Sequence, residues 1–402
     1  MQHPIYLDNQ AATRVDPRVL DAMLPWLTEL YGNAASRSHT YGLTAAAAVT
    51  IARGQVADLI GANPEEIIFT SGATESVNLA IKGAVEAAYQ RSGGGSLHVV
   101  TAATEHRAVL DSCKRLEQAG ISVTVLPVDR KGRVSVKGLA AALQPDTVLA
   151  SIMWANNEIG TIAPVAEIAA LCNEQGVLFH SDATQAVGIL PVDVKEIPVD
   201  LLSFSAHKMY GPQGAGALYV RHRTPPIQVA AQIDGGGHER GLRSGSLNVP
   251  AIVGFGKAAE ICIAERATDA WRIGEMRNAL VAGLHEALPG ITENGDLTRR
   301  VPHNASITFP GMQADRVMRA MPGLAVSSGA ACSSAQPGPS HVLRAIGLPA
   351  ADASATIRFS PGRFTTDEDI AAAVRIVAET IRTQPHDEQQ DAHEGTRSYS
   401  HT

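Results

Sequence analysis

A lysine that follows a short apolar run is the first candidate for chemistry in this 402-residue chain. Lys208 comes after Leu201–Phe204, and a hydroxyl (Ser205) and an imidazole (His207) stand close to it in the sequence. Lysine is normally a solvated surface residue, and that interpretation stays open for Lys208 taken alone. In a desolvated site, however, a lysine can lose its proton and form a Schiff base. Ser205 and His207 could then bind a phosphate group beside it.

An aspartate also follows an apolar run, at Asp182 after Val177–His180. Taken alone, a carboxylate in this position fits a helix cap or a metal ligand. Together with Lys208 it predicts the partner of a pyridinium nitrogen. A carboxylate keeps that nitrogen protonated, and the ring can then act as an electron sink.

The segment Ser71–Thr74 joins another apolar run to a helical pattern. Gly72 allows a tight turn, and the free N–H groups at a helix N-terminus bind anions. Thr74 adds a hydroxyl. The segment therefore predicts an anion site, and a plain capped loop is the alternative.

His106 and Asn157 each lie just after a further apolar run. A lone histidine is more often structural than catalytic. At the end of a strand, however, His106 could stack on a cofactor ring and move protons. Asn157 could bind a cofactor or a substrate.

Two residues in the C-terminal third also have chemical potential. Cys332 lies in a run of small residues, 327–335, that predicts a mobile loop with an accessible thiol. An incidental exposed cysteine is the alternative. Arg358 lies in the strand-like segment Thr356–Phe359, where a buried guanidinium could bind a carboxylate with two hydrogen bonds.

Most of these residues follow short β-rich runs that alternate with helical patterns. The runs are Glu66–Thr70, Leu97–Thr101, Val123–Val128, Val148–Ile152, Val177–His180, Leu201–Phe204 and Gly216–Val220. Strands that alternate with helices predict a mainly parallel sheet with both faces covered. In such sheets the polar residues just past the strand ends face the ligand crevice.

The alternation breaks near residue 225. A long helical pattern then runs from Pro250 to about residue 286, and residues 290–382 indicate an α+β unit. The polar tail 383–402 predicts disorder.

Composition excludes several classes of protein. Hydrophobic residues make up 45% and charged residues 18%, which is ordinary for a soluble globular protein. A net charge of −7 without a basic stripe argues against direct nucleic-acid binding.

The four cysteines form no CxxC pair, which argues against a zinc site or a disulfide framework. The N-terminus lacks signal-peptide character, and no apolar run reaches the ~18–20 residues of a membrane span. We therefore expect a cytoplasmic protein without a membrane partner.

Together the motifs resemble those of the cysteine desulfurases of the NifS/IscS type, in the class V aminotransferase group of fold-type I pyridoxal-phosphate enzymes. The resemblance runs from Tyr6-Leu7-Asp8 to about Arg382. It implies an α/β fold whose large domain, residues 15–257, holds a mainly parallel seven-stranded sheet. Residues 1–14 and 258–382 would form a smaller α+β domain that carries the Cys332 loop. A homodimer with active sites at the interface is also implied.

The resemblance assigns roles to single residues. Lys208 matches the Schiff-base lysine, Cys332 the persulfide cysteine, and His106 the ring-stacking catalytic histidine. The residues implied to bind pyridoxal 5'-phosphate are Ala73, Thr74, His106, Asn157, Asp182, Gln185, Ser205, Ala206, His207, Lys208 and Ser246. The residues implied to bind the substrate are Asn33, Asn157 and Arg358. Ser246 stands where the family usually has a threonine that reaches the neighbouring subunit's phosphate, and Ala206 where glycine is common.

The implied reaction converts L-cysteine to L-alanine and leaves a persulfide on Cys332. An acceptor protein, such as an iron–sulfur scaffold, would then take the sulfur. No resident metal is expected, although Cys332 could ligate an iron–sulfur cluster transiently together with an acceptor. The C-terminal tail lacks the family's scaffold-docking pattern, so the acceptor stays open.

Three alternatives remain at this stage. They are a selenocysteine lyase, an aminotransferase acting on small amino acids, and a non-catalytic partner protein with the same fold. An aminotransferase needs no thiol like Cys332, and a non-catalytic protein would not need Lys208, Asp182 and Cys332 together. The sequence does not separate cysteine from selenocysteine.

Overall fold

The computed structural model describes residues 4–328 and 338–384. Cys332 and almost all of the predicted disordered tail therefore lie outside the described residues. The helices are α1 (Pro17–Met23), α2 (Pro25–Thr28), α3 (Thr40–Leu59), α4 (Ala73–Ser92), α5 (Arg107–Gln118), α6 (Val136–Ala142), α7 (Val165–Glu174), α8 (Val249–Ala287), α9 (Ala314–Ala320), α10 (His341–Ala345), α11 (Ala350–Ser354) and α12 (Asp367–Thr383). The strands are β1 (Ile5–Tyr6), β2 (Ile67–Thr70), β3 (His98–Ala102), β4 (Ser122–Leu126), β5 (Thr147–Ser151), β6 (Leu178–Asp182), β7 (Leu201–Ser205), β8 (Gly216–Val220), β9 (Thr292–Glu293), β10 (Ala305–Thr308), β11 (Leu324–Ala325), β12 (Ser327–Ser328) and β13 (Thr356–Phe359).

A seven-stranded sheet has the strand order β2-β8-β7-β6-β5-β3-β4. β8 runs antiparallel to its neighbours β2 and β7, and the other neighbouring pairs are parallel. All seven strands were predicted from their short β-rich runs. The expectation of a mainly parallel seven-stranded sheet is therefore confirmed.

Helices cover both faces of this sheet. Alternate residues of each strand point to opposite faces, so neighbouring residues pack against different helices. Val99 and Leu149 lie in one apolar cluster with residues of α4 and α5. Their neighbours Val100 and Ala150 lie in a second cluster, which contains residues of α3, α7 and the first part of α8. The inner strands β3, β6 and β7 are buried on both faces over most of their length, whereas the edge strand β4 is largely accessible.

A four-stranded antiparallel sheet, β12-β13-β10-β9, forms a separate layer. β10 and β13 pack in a third apolar cluster with α12 and the second part of α8. The predicted α+β unit is therefore present. The predicted domain limits stay a prediction, and α8 is continuous across the limit predicted at residues 257/258.

The N-terminal segment connects the two sheets. Asp8 forms an isolated bridge with Ser360, just after β13, and the backbone N–H of Thr13 donates to His207 O, just after β7, at 2.9 Å. Residues 9–12 between these contacts are therefore held at the C-terminal edge of the large sheet. Among the helices of the described ranges, none is both long and apolar enough to cross a membrane.

Candidate active site

A cavity of about 270 Å³ lies at the C-terminal ends of the parallel strands. It contains eight of the residues that the sequence singled out: Ala73, Thr74, His106, Asn157, Asp182, Gln185, His207 and Lys208. These residues come from five separate chain segments. The edge of the sheet therefore brings them together as predicted.

Lys208 ends a short 3₁₀ turn, Ala206–Lys208, that directly follows β7. Its amine donates hydrogen bonds to the backbone oxygens of Gln10 at 2.7 Å and Ala11 at 2.6 Å. The N-terminal segment thus holds the amine at the cavity wall.

Asp182 is the last residue of β6 and is buried. One carboxylate oxygen accepts from the backbone N–H of Thr184 at 3.0 Å, so Asp182 also caps the turn that follows. Below it, both ring nitrogens of His180 bond to the hydroxyls of Ser151 and Ser203. Burial lowers the pKa of His180 to about 4, so this imidazole is neutral at ordinary pH.

The N-terminus of α4 forms one end of the cavity. Gly72 precedes the helix with φ of +155°, a conformation that favours glycine. Ala73 and Thr74 follow it and line the cavity, and the first N–H groups of a helix have no partner within the helix. A Cβ on Gly216 would lie 2.5 Å from the Cα of Gly72, so β8 requires a glycine for this close approach.

Ser205 and His207 lie beside this end of the cavity. Nδ1 of His207 is 2.6 Å from the hydroxyl of Ser205, which is also positioned to donate to Ala215 O at 3.3 Å. Burial, and then the charge of Lys208, lower the pKa of His207 to about 4. Ser205 and Ala206 do not line the cavity; Ala206 is fully buried behind it.

His106 caps the N-terminus of α5. Its Nδ1 accepts from the backbone N–H of Ala108 at 3.1 Å, so the neutral ring carries its hydrogen on Nε2. The cap fixes the position of the imidazole at the cavity wall.

Asn157 and Arg358 meet beside the cavity. The guanidinium of Arg358, 2% exposed, donates to the backbone oxygen of Asn157 at 2.6 Å and to a carboxylate oxygen of Asp8 at 2.8 Å. The side-chain Oδ1 of Asn157 is buried and has no hydrogen-bond partner among the residues that the structure describes. Asn157 lines the cavity and Arg358 lies behind it.

Two predicted residues lie elsewhere on this chain. Asn33 and Ser246 are both exposed and do not line the cavity.

Sequence reasoning missed three buried residues. Gln10 lines the cavity and binds the amine of Lys208. Glu105 directly precedes His106 and accepts from the backbone N–H of Met153 at 2.7 Å, and burial raises the pKa of its carboxyl well above the ordinary value. Glu158 accepts a short hydrogen bond from the hydroxyl of Ser340, and burial raises its pKa to about 7. The two glutamates could have been found from the sequence, because Glu105 directly precedes His106 and Glu158 directly follows Asn157. No sequence feature pointed to Gln10.

Comparisons with known proteins agree with this geometry. The family model for class-V aminotransferases matches residues 5–372. A protein named cysteine desulfurase IscS from Anaeromyxobacter dehalogenans is 52% identical over 382 residues, which cover 95% of this chain and 93% of that protein. A solved NifS-like protein superposes with a TM-score of 0.87 at 36% identity, covering 94% of this chain and 99% of that one. The structure of SspA in complex with cysteine superposes with a TM-score of 0.79 at 35% identity, covering 90% and 99%. The chain therefore belongs to the class-V aminotransferase family and, within it, to the cysteine desulfurases.

Proposed function

We propose that this protein uses pyridoxal 5'-phosphate to remove sulfur from L-cysteine and holds that sulfur as a persulfide on Cys332. The observation that carries the proposal is one cavity that contains the amine of Lys208, the carboxylate of Asp182 and the N-terminus of α4. The substrate is supported by the name of the desulfurase relative and by the SspA structure with cysteine.

The cavity fits this cofactor at each of its chemical groups. The N-terminus of α4, with Thr74 and His207, suits the phosphate, and Ser205 orients the ring of His207. Asp182 suits the pyridinium nitrogen, and Gln185 the phenolic oxygen. The buried Oδ1 of Asn157, which has no partner within the described residues, leaves one acceptor for a bound molecule. His106 provides an aromatic ring at the cavity wall.

When bound, the cofactor would supply an electron sink for the bond to the α-hydrogen of the substrate. Lys208 would accept that hydrogen as a proton and return a proton later in the cycle. While its amine is not bound to the cofactor, the carbonyl oxygens of Gln10 and Ala11 hold it at the cavity wall. The carboxylate of Asp182 favours the protonated ring, and buried His180 stays neutral below it.

Cys332, as a thiolate, would attack the sulfur of the substrate. An S–S bond forms and the C–S bond breaks, with its electron pair going to carbon, which takes up a proton to give alanine. A thiolate is required, and burial raises the pKa of Cys113 and Cys172 to about 12 and of Cys262 to about 11. The three described cysteines are therefore poor nucleophiles, which leaves Cys332 as the candidate.

His106 and Arg358 would complete the site. His106, with a hydrogen on Nε2 in the neutral ring, can move protons near the sulfur. Arg358 would act as the clamp for the substrate carboxylate. Its fork already contacts Asn157 and Asp8, so its position is fixed before substrate binds.

A homodimer is part of the proposal. Large exposed apolar side chains concentrate in the first third of the chain, namely Leu20, Leu24, Leu27, Tyr31, Tyr41, Leu43 and Ile51. Exposed apolar surface of this kind marks interaction sites. Asn33 and Ser246, which are exposed on one chain, would then act in the active site of the partner.

Sulfur would leave Cys332 by thiol exchange with an acceptor protein. The name IscS of the relative supports an iron–sulfur scaffold as that acceptor. A cytoplasmic location stays a prediction.

The test is release of sulfide and alanine from L-cysteine with dithiothreitol as reductant, measured on the purified yellow protein. We expect equal amounts of both products from the parent. Lys208→Ala should lose both by about 10³-fold or more, because it removes the group that moves the α-proton. Cys332→Ser should keep the yellow colour and lose both products.

Cys113→Ala is the matched control, since it removes a thiol that burial keeps protonated, and it should keep the activity. Full activity of Cys332→Ser would contradict the role of that cysteine. A yellow parent that releases neither product would contradict the desulfurase proposal and favour selenocysteine or aminotransferase substrates.

A further inference from the structure

Gln10 is a buried centre of hydrogen bonds at the wall of the active-site cavity, with 1% of its surface exposed. Its backbone oxygen accepts from the amine of Lys208 at 2.7 Å and from the side-chain amide of Gln185 at 3.0 Å. A carbonyl oxygen has two lone pairs, and this one uses both. The place of one peptide group therefore sets the place of two side chains in the cavity.

This peptide group belongs to neither a helix nor a strand. Two contacts from the region of the four-stranded sheet hold it. The backbone N–H of Gln10 donates to the hydroxyl of Ser360 at 3.0 Å, and its side-chain Oε1 accepts from Nδ2 of Asn304 at 2.6 Å. The contacts of Asp8 and Thr13 hold the segment on either side, and these two tethers are the hydrogen bonds that Gln10 itself makes to the region of the smaller sheet.

The orientation of the Asn304 amide is fixed by its other partners. Its Oδ1 accepts from the guanidinium of Arg300 at 2.8 Å, and its Nδ2 also donates to Glu158 O at 3.0 Å. A guanidinium can only donate and a backbone oxygen can only accept, so the amide cannot be reversed. Arg300 is in turn paired with Glu293, and Asn304 is fully buried.

The surrounding backbone also leaves space for this amide. Gly160 has φ of +73°, and a Cβ there would lie 2.7 Å from the Cβ of Asn304. Asn304 itself does not line the cavity. It can therefore affect the reaction only through other residues.

We propose that Asn304, acting through the side chain of Gln10, is a positioning residue for Lys208. The pair links the Glu293–Arg300 ion pair, in the region of the smaller sheet, to the amine of Lys208. The inference rests on the proposed function, because it concerns a step in which that amine is not joined to the cofactor and must be correctly placed. Loss of the tether lets the peptide of Gln10 move, and the amine then spends less time in the reactive position.

The first experiment measures how fast cofactor-free protein captures added pyridoxal 5'-phosphate, followed by the absorbance of the bound form. This rate reports on Lys208 whether or not cysteine is a substrate. Asn304→Asp is the main variant, because its new oxygen opposes Glu158 O and Gln10 Oε1 while the contact with Arg300 is kept. We expect capture to slow about tenfold, the value of one well-made hydrogen bond. Gln10→Met should do the same.

The double variant decides whether the two residues act as one unit. Residues in a single hydrogen-bonded network are not additive. We expect the double variant to be slowed about tenfold, like each single variant, whereas independent effects would multiply to about a hundredfold. In cysteine desulfuration, kcat should fall in the same proportion with little change in KM.

Asn294→Asp is the matched control. Asn294 is a buried amide in the same sheet region, bonded to the hydroxyl of Thr308 at 2.9 Å, and it lies away from the cavity lining. It should lower the melting temperature and leave the capture rate unchanged. An unchanged capture rate in Asn304→Asp, equal slowing in Asn294→Asp, or multiplicative slowing in the double variant would each overturn the proposal. A parent that captures the cofactor but releases no sulfide would contradict the proposed function instead.

Discussion

In the seven-stranded sheet the site residues stand at or just past strand ends, whereas in the four-stranded sheet Arg358 lies inside a strand. Asp182 ends β6, and Lys208 and Thr74 come within three or four residues of β7 and β2. Arg358 is paired in register with Ser306 of β10 and Ser327 of β12. These cross-strand neighbours are small and leave room for a buried guanidinium.

The difference concerns how each side chain is held. At the strand ends the local backbone positions the residue, through a helix cap at His106 and the backbone N–H of Thr184 at Asp182; the amine of Lys208 is in addition held by Gln10 and Ala11. In the region of the smaller sheet the side chains also bond to groups far away in the sequence: Arg358 to Asn157 and Asp8, and Asn304, which directly precedes β10, to Gln10 as well as to nearby Arg300. The larger sheet therefore carries most of the candidate catalytic residues, and residues in the region of the smaller sheet help to position them.

Removing the buried guanidinium would be the most severe test of this contrast. Arg358→Leu leaves Asn157 O and the carboxylate of Asp8 without their donor. We expect a loss of about 3 kcal/mol in the free energy of unfolding, as for other broken buried ion pairs. KM for cysteine should rise about tenfold or more, because a charged hydrogen-bond partner of the substrate is lost.

Arg358→Lys separates charge from shape in the same position. It keeps the positive charge and loses the planar fork. Urea unfolding measures the free energy of unfolding of each variant, and steady-state kinetics measures its KM for cysteine. A lysine variant with the parent's KM and stability would show that the smaller sheet supplies charge alone and no geometry.

The same contrast marks what could be predicted from the sequence. The seven strands of the large sheet followed from short apolar runs. The 20-residue helix α3 was missed, because its run Ala45–Ala48 gives little apolar contrast between faces. Tertiary packing against α8 supports this helix more than its own pattern does.

For the site, the sequence singled out residues whose signal was local. Asp182 and Lys208 follow runs that a reader can recognise as strands. Gln10 and Asn304 are 294 positions apart, and no feature of either segment indicates that their amides meet. The reason is physical: their contact depends on how two sheets pack, which is not encoded in either local pattern.

Glu158 lies where the two sheet regions meet, and its titration gives the next prediction. Burial raises the pKa of its carboxyl from 4.5 to about 7, so the folded state binds this proton more tightly than the unfolded state. The free energy of unfolding should therefore fall as pH rises from about 4.5 to 7. Glu158→Gln has no such proton and should escape this fall.

The difference in stability between Glu158→Gln and the parent isolates this one group from the buried histidines. We expect it to grow in favour of the variant by about 2 kcal/mol between pH 5 and 7. Urea midpoints across this range measure it. A constant difference would mean that Glu158 is already ionised at pH 5, and that the contact with Ser340 is held by charge.

The smallest expected effect concerns the packing of β8 against the turn before α4, within the region of the larger sheet. In Gly216→Ala the new Cβ would meet backbone atoms of Gly72 at 2.5–2.9 Å, and backbone cannot rotate away as a side chain can. We expect a loss of about 1–2 kcal/mol in the free energy of unfolding from overpacking, and weaker binding of pyridoxal 5'-phosphate because the turn before α4 is displaced.

Gly54→Ala is the control, since a Cβ there meets nothing within 4 Å. Gly54 lies in the middle of α3, where alanine should raise the free energy of unfolding by about 0.5–1 kcal/mol. Cofactor titration and thermal unfolding of both variants measure the pair. If Gly216→Ala bound the cofactor as tightly as the parent, the phosphate would not depend on the close approach of β8 to the turn, and the larger sheet would hold its ligand less rigidly than its strand ends suggest.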